Sequence, residues 1–264
     1  MLKFALIGFG GLGRSIFDII ENDPSIESQC TGILVKKEKD GYGTENPNFV
    51  FSIDELLDGG PDIVVECAGH DAVRDYGQRI LAQGGDFAPA SIGVLADDSL
   101  LNQLTTTARA SGAKIILPAG AIGGVDALAA AKESGLIKVT YRSRKPAMSW
   151  RGTPAEEKLD LPALTSPAIH FRGSACDAAK LYPKNANVAA TIALAGAGFE
   201  NTHVELIADP TTTKNIHELE VSSNAGVFSI KLYGNPLASN PKTSMLTACS
   251  FAHVLKNRDR AIVI

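Results

Sequence analysis

The residues Gly8-Phe9-Gly10-Gly11-Leu12-Gly13 have the spacing G-x-G-x-x-G, which suits binding of a dinucleotide pyrophosphate. The context makes the motif specific: an apolar run at residues 3–7 reads as a buried strand, and residues 12–20 read as a helix. The first glycine permits the tight turn, and the second lets the backbone approach the pyrophosphate. The third allows the helix to pack closely on the strand. The N–H groups of Gly11, Leu12 and Gly13 open the helix, where donors and the dipole favour an anion. Glycine also serves purely structural turns, but a strand-to-helix turn at this spacing favours the dinucleotide. A methyltransferase is disfavoured because no acidic residue precedes the glycines.

A site selective for NAD usually carries Asp or Glu about twenty residues further on, where it accepts from the ribose hydroxyl. This chain has Val35, Lys36 and Lys37 there. Two readings stand: a solvated surface pair, or a pair that attracts the 2′-phosphate of NADP. NAD or NADP is therefore the expected cofactor. Cys67-Ala68-Gly69 ends a later strand on the ligand side of such a sheet, which makes Ala68 and Gly69 cofactor-lining candidates. His70 follows them, either lining the nicotinamide site or standing in a loop. His170, His203 and His253 read as structural.

These residues need a scaffold. After the first strand and helix come an apolar run at 31–35, a short helix at 53–57 capped by Ser52, and a strand at 62–68. A helix at 72–82 is closed by Gly84-Gly85. A strand at 86–92, a helix at 100–111 closed by Gly112, and a strand at 114–117 follow. This alternation predicts a Rossmann-type, doubly wound parallel sheet over 1–118. The rhythm then changes. Beyond a helix at 125–134, strands at 139–142, 168–172, 204–208, 216–221 and 227–233 surround helices near 176–181 and 187–195. This predicts an α+β domain over 119–240 with a mixed or antiparallel sheet. Residues 146–167 read as a long ordered loop. A helix at 244–256, within residues 241–264, is expected to return to the first domain.

The 264 residues are enough for a large core without staples, and the net charge of −4 has no basic stripe for nucleic acid. The 4 cysteines form no C-x-x-C pair, so no metal is expected and free thiols fit a reducing compartment. No apolar run is long enough to span a bilayer, and the N-terminal run lacks a signal-peptide pattern. Cytoplasmic residence is the expectation.

A Rossmann half does not name a substrate. In the rest of the chain the ordered blocks Ala90-Ser91-Ile92-Gly93-Val94-Leu95-Ala96-Asp97, Leu117-Pro118-Ala119-Gly120-Ala121-Ile122-Gly123-Gly124, Lys145-Pro146 and Trp150-Arg151-Gly152-Thr153-Pro154 stand out. They continue through Tyr182-Pro183-Lys184-Asn185-Ala186-Asn187-Val188-Ala189-Ala190-Thr191, Ala208-Asp209-Pro210, Asn215-Ile216-His217-Glu218 and Asn240-Pro241-Lys242-Thr243-Ser244. Over nearly its whole length the chain resembles the L-aspartate dehydrogenases. The resemblance implies that His217 is the catalytic acid/base and that Ala121 and Asn187 contact the nicotinamide half of the cofactor. It implies a homodimer, and it leaves cofactor preference open because the family varies. A physical reading agrees about His217: it lies in a strand-like run with Asn215 two residues away on the same face, and a neutral imidazole exchanges protons near pH 7.

The reaction implied is reversible oxidation of L-aspartate through iminoaspartate to oxaloacetate and ammonia. Iminoaspartate released before hydrolysis would feed pyridine nucleotide biosynthesis. A dicarboxylate needs donors at both ends. Besides Asn215, the candidates are Lys242, Thr243 and Ser244, which precede a helix N-terminus, with Arg144 and Arg172 as alternatives. The rival readings are another dehydrogenase of this architecture and a non-enzymatic NAD(P)-sensing protein.

Overall fold

A computed structural model describes residues 1–36, 48–237 and 240–263, with the backbone alone for residues 240–242. The chain divides into two compact units, one comprising Met1–Ser91, Asp97–Pro118 and Thr247–Ile264, the other Ile92–Ala96 and Ala119–Leu246.

In the first unit the described strands are β1 (Leu2–Ile7), β2 (Ser28–Leu34), β3 (Phe49–Val50), β4 (Ile63–Glu66) and β5 (Asp86–Pro89). They form a parallel sheet in the order β3-β2-β1-β4-β5. The order reverses beside β1, which is the switch point where open α/β sheets bind ligands beyond their strand ends. Helices α1 (Gly11–Glu21), α2 (Ile53–Asp58), α3 (His70–Ala82) and α4 (Asp98–Ser111) connect the strands. Helix α1 buries Gly13, Ile16 and Ile20, one face at helical spacing. Ser52 caps α2 by accepting from the Glu55 N–H at 3.2 Å, and Gly112 ends α4 in the left-handed conformation. The apolar residues Phe4, Leu6, Ile33 and Val65 form one core with Ala248, Phe251 and Leu255 from the C-terminal segment. Burying each large side chain there contributes about 1.5–3 kcal/mol.

The second unit has a mixed sheet of β6 (Leu136–Pro146), β7 (Ala168–Ser174), β8 (Thr202–Asp209), β9 (Asn215–Ser223) and β10 (Gly226–Gly234), in the order β10-β9-β6-β8-β7. Strand β6 runs parallel to β8 and antiparallel to β9. Helices α5 (Val125–Lys132), α6 (Ala175–Leu181) and α7 (Asn187–Ala195) pack on it. A small hairpin, β11 (Pro236–Leu237) with β12 (Asn240–Ser244), leads into α8 (Met245–Asn257).

Several boundaries differ from expectation. The run at 114–117 is not a full strand, since Ile115 makes only an isolated bridge to Phe87. The strand beginning at Asp86 stops at Pro89, and a short 3-10 helix takes over at Ile92–Ala96. The strand expected over 62–68 ends at Glu66, and α5 ends at Lys132 rather than 134. The segment 146–167 contains two 3-10 turns, Ala147–Trp150 and Leu161–Ala163, that anchor it through buried Trp150 and Leu161. The C-terminal helix starts at Met245, because Ser244 closes β12.

Candidate active site

In the first unit the glycine turn sits where β1 hands over to α1. Gly8 has φ +90°, and a side chain there would press on Ala68 and on the Cys67 carbonyl carbon at 3.0–3.1 Å. Only glycine allows the ends of β1 and β4 to come this close. A Cβ at Gly13 would collide with the Gly8 carbonyl oxygen, so this position sets the contact of helix on turn. At Gly10, the N-cap of α1, an added Cβ meets no atom within 4 Å. An unfilled position beside the N–H groups of Gly11, Leu12 and Gly13 fits a pyrophosphate.

Beside this turn, a carboxylate that sequence reasoning passed over organises the end of β4. Glu66 is fully buried. Its Oε1 accepts from the Ala68 and Gly69 N–H groups, each at 2.6 Å, and from Ser91 Oγ at 3.1 Å. Oε2 accepts from the Ser91 N–H at 3.0 Å. Burial raises its pKa, and these hydrogen bonds oppose the rise. The clamp holds Gly69 at φ 120° as the N-cap of α3, with His70 the first helical residue. The signal available in the sequence was one acid inside the apolar run Ile63-Val64-Val65-Glu66. Lys36 is exposed just past β2, and Lys37 lies outside the described residues.

In the second unit His217 lies on β9 directly opposite Ser143 of β6. Alternation along the strands puts Tyr141, Ser143 and Lys145 on the same face as Asn215 and His217. Tyr141 Oη lies 2.7 Å from His217 Nδ1, with the two rings nearly parallel at 7°. With Nδ1 engaged, Nε2 is left for chemistry. Burial, and then the charge of Lys145, lower the His217 pKa to about 3, so its resting form is the neutral ring. Lys145 donates to Asn185 Oδ1 at 2.9 Å and lies 5.3 Å from the centroid of the Trp150 ring. Burial lowers its pKa to about 8, which still leaves it mostly cationic at neutral pH. Tyr141 and Lys145 were not singled out as site residues. The pattern that could have found them is the i, i+2, i+4 series 141-143-145 in a strand.

Asn187 begins α7, and its Oδ1 accepts from the Gly93 N–H at 2.9 Å. Ala121 is buried in the same unit, and Asn215 is buried on β9. Thr243 and Ser244 lie on β12, where buried Ser244 accepts from the Leu246 N–H at 3.3 Å. The Lys242 side chain lies outside the described residues. The alternatives Arg144 and Arg172 are already engaged, Arg144 with Asp209 at 3.4 Å and Arg172 with Glu205 at 2.9 Å. Among the described residues no cluster of His, Cys, Asp and Glu could hold a metal, and no helix is long and apolar enough to cross a membrane.

Residues 8–118 match the NAD-binding domain family of homoserine dehydrogenases, and residues 126–258 match the C-terminal domain family of aspartate dehydrogenase. The chain belongs to the aspartate dehydrogenase family. It is 41% identical over 267 residues to the L-aspartate dehydrogenase of Ralstonia pickettii, and 43% identical over 272 residues to that of Pseudomonas aeruginosa. In both comparisons 100% of each chain is covered. The crystal structure of aspartate dehydrogenase from Thermotoga maritima superposes with a TM-score of 0.75 at 29% identity, covering 100% of this chain and 99% of that one. A hyperthermophilic archaeal homoserine dehydrogenase solved with NADPH shares the fold, with a TM-score of 0.60 at 15% identity over 97% of both chains. This aspartate dehydrogenase family member therefore carries a nicotinamide-dinucleotide domain followed by the family's C-terminal domain.

Proposed function

We propose that this protein oxidises L-aspartate with NAD or NADP, giving iminoaspartate and then oxaloacetate and ammonia, and that it runs reversibly. The observation that carries the reading is full-length similarity at 41–43% identity to L-aspartate dehydrogenases, joined to a buried neutral His217.

The turn Gly8 to Gly13 would hold the pyrophosphate, Ala68 and Gly69 would line the cofactor, and Ala121 and Asn187 would meet its nicotinamide half. When bound, the nicotinamide supplies the hydride acceptor. The protein does the rest. His217 Nε2 takes a proton from the substrate ammonium, because hydride leaves Cα only once the nitrogen lone pair can form the C=N bond. For Nε2 to be the base, Nδ1 must carry the proton and donate to Tyr141 Oη across their 2.7 Å contact, which then holds the ring in that tautomer. Once the proton from the ammonium has passed to solvent, the neutral imidazole takes one from the water that attacks the imine carbon and returns it to the substrate nitrogen, which leaves as ammonia. Asn215, on the same face, is assigned to the substrate, and Thr243, Ser244 and Lys242 remain further candidates for its carboxylates.

We also assign Lys36 and Lys37 to the 2′-phosphate of NADP. This rests on the sequence: Val35, Lys36 and Lys37 directly follow β2, ahead of the first acid, Glu38. A homodimer working in the cytoplasm completes the reading; light scattering tests the first and cell fractionation the second. The function itself is tested by incubating the purified protein with L-aspartate and each dinucleotide. One ammonia released per dinucleotide reduced supports it, and reduction without ammonia contradicts it.

A further inference from the structure

Lys145 is a cation placed among groups that solvate it without neutralising it. Its ammonium donates to the neutral amide oxygen of Asn185 and lies over the Trp150 ring. Trp150 is held in turn by its own bond to the Ile207 carbonyl, at 3.1 Å. Among the described residues no carboxylate pairs with Lys145. The neighbouring arginines of the same strand, on its opposite face, are treated differently: Arg142 meets Glu205 and Glu220, and Arg144 meets Asp209. A partly buried charge without a counter-ion is unfavourable, and an anion entering its surroundings is attracted in proportion.

Position adds to charge. Lys145 stands two residues beyond Ser143, which is directly opposite His217 on the paired strand. We infer that Lys145 binds a carboxylate of the L-aspartate substrate and so seats the amine-bearing carbon beside His217. This deepens the proposed function and rests on it. The point charge of a lysine suits a carboxylate that must also be released, whereas a bidentate arginine would hold it more tightly.

The pairing has a second effect. The charge of Lys145 is the second cause, after burial, of the low pKa of His217. A carboxylate seated at Lys145 offsets that charge, so the imidazole gains basicity when substrate is present. The base is strengthened where a proton has to be taken.

The test is calorimetric titration with succinate, a four-carbon dicarboxylate with no amine to lose, into the full protein with saturating NAD. Alongside it are the KM values for L-aspartate and for dinucleotide. A charge-assisted contact predicts that Lys145→Met weakens succinate about ten- to a hundredfold. The KM for L-aspartate should rise in the same proportion and that for dinucleotide should not move. Lys145→Arg should recover much of the loss. Should the methionine variant fail to fold, Lys145→Gln removes the charge and carries the same comparison. Succinate binding to the folded neutral variant as tightly as to wild type overturns the assignment, and so does a wild type with no affinity for succinate. A wild type that binds succinate but leaves L-aspartate unoxidised overturns the proposed function instead, while the variants still report on Lys145.

Discussion

Tyr141 Oη and His217 Nδ1 lie 2.7 Å apart across the paired strands β6 and β9. Two buried groups from adjacent strands thus fix each other, and the ring nitrogen that faces the chemistry is chosen by the fold. His217→Ala should lower kcat by about 10²–10⁴-fold, the usual contribution of a positioned acid/base, with dinucleotide affinity unchanged. Tyr141→Phe removes one neutral hydrogen bond, and a loss of about 0.5–1.5 kcal/mol predicts a fall in kcat of roughly two- to tenfold. Steady-state kinetics on both folded variants decide this. Equal losses, or none, would mean that the bond does not orient the base.

The glycine turn makes two opposite predictions. Gly10 faces open space, so Gly10→Val should leave the melting temperature near wild type and abolish dinucleotide binding in a fluorescence titration. Gly13 faces the Gly8 carbonyl, so Gly13→Ala should destabilise the fold even without cofactor. Normal binding by Gly10→Val would make the turn structural only.

Stability should fall in mild acid. His217 and His170 have pKa values lowered from 6.5 to about 3 and about 4, both mainly by burial and secondarily by lysines, Lys145 and Lys158. In the unfolded chain both rings take up a proton near pH 6.5, while in the native fold they stay neutral. The unfolded state therefore binds more protons between these values, and stability drops as pH falls through that window. Melting curves from pH 7.5 down to 4.5 should show the decline, with a shallower slope for His170→Gln. A flat profile would contradict the buried neutral rings.

Much of this was legible in the residues. Alternating apolar runs and capping signals such as Ser52 and Gly112 marked the parallel sheet and its helices, because those signals are local. The run at 114–117 was not legible in the same way: its apolar residues look like a strand, yet only Ile115 bridges to β5. The hairpin of β11 and β12 was missed because Pro236 and Pro241 argue against strands, although edge positions tolerate proline. Lys145 and Glu66 were passed over because their surroundings are set by distant segments, Asn185 and Trp150 for one, Ser91 for the other.

Cofactor choice should depend on the end of β2. Replacing Lys36 and Lys37 by Ser should raise the KM for NADP about tenfold, the lower end expected for a charged hydrogen bond from a flexible lysine. The KM for NAD should hardly change, and the difference should shrink as ionic strength rises. Equal effects on both cofactors would mean that the two lysines are a solvated surface pair.

Aspartate oxidation run backwards needs a dicarboxylate carbon skeleton, ammonia and a reduced nicotinamide together. The decisive measurement follows NADPH and NADH oxidation with oxaloacetate and ammonia together and with each omitted in turn. Oxidation should occur only in the complete mixture, with L-aspartate formed in amounts equal to the reduced dinucleotide consumed. Oxidation that proceeds without ammonia and yields a hydroxy acid, or no turnover by a folded protein that binds the cofactor, would overturn the proposed activity.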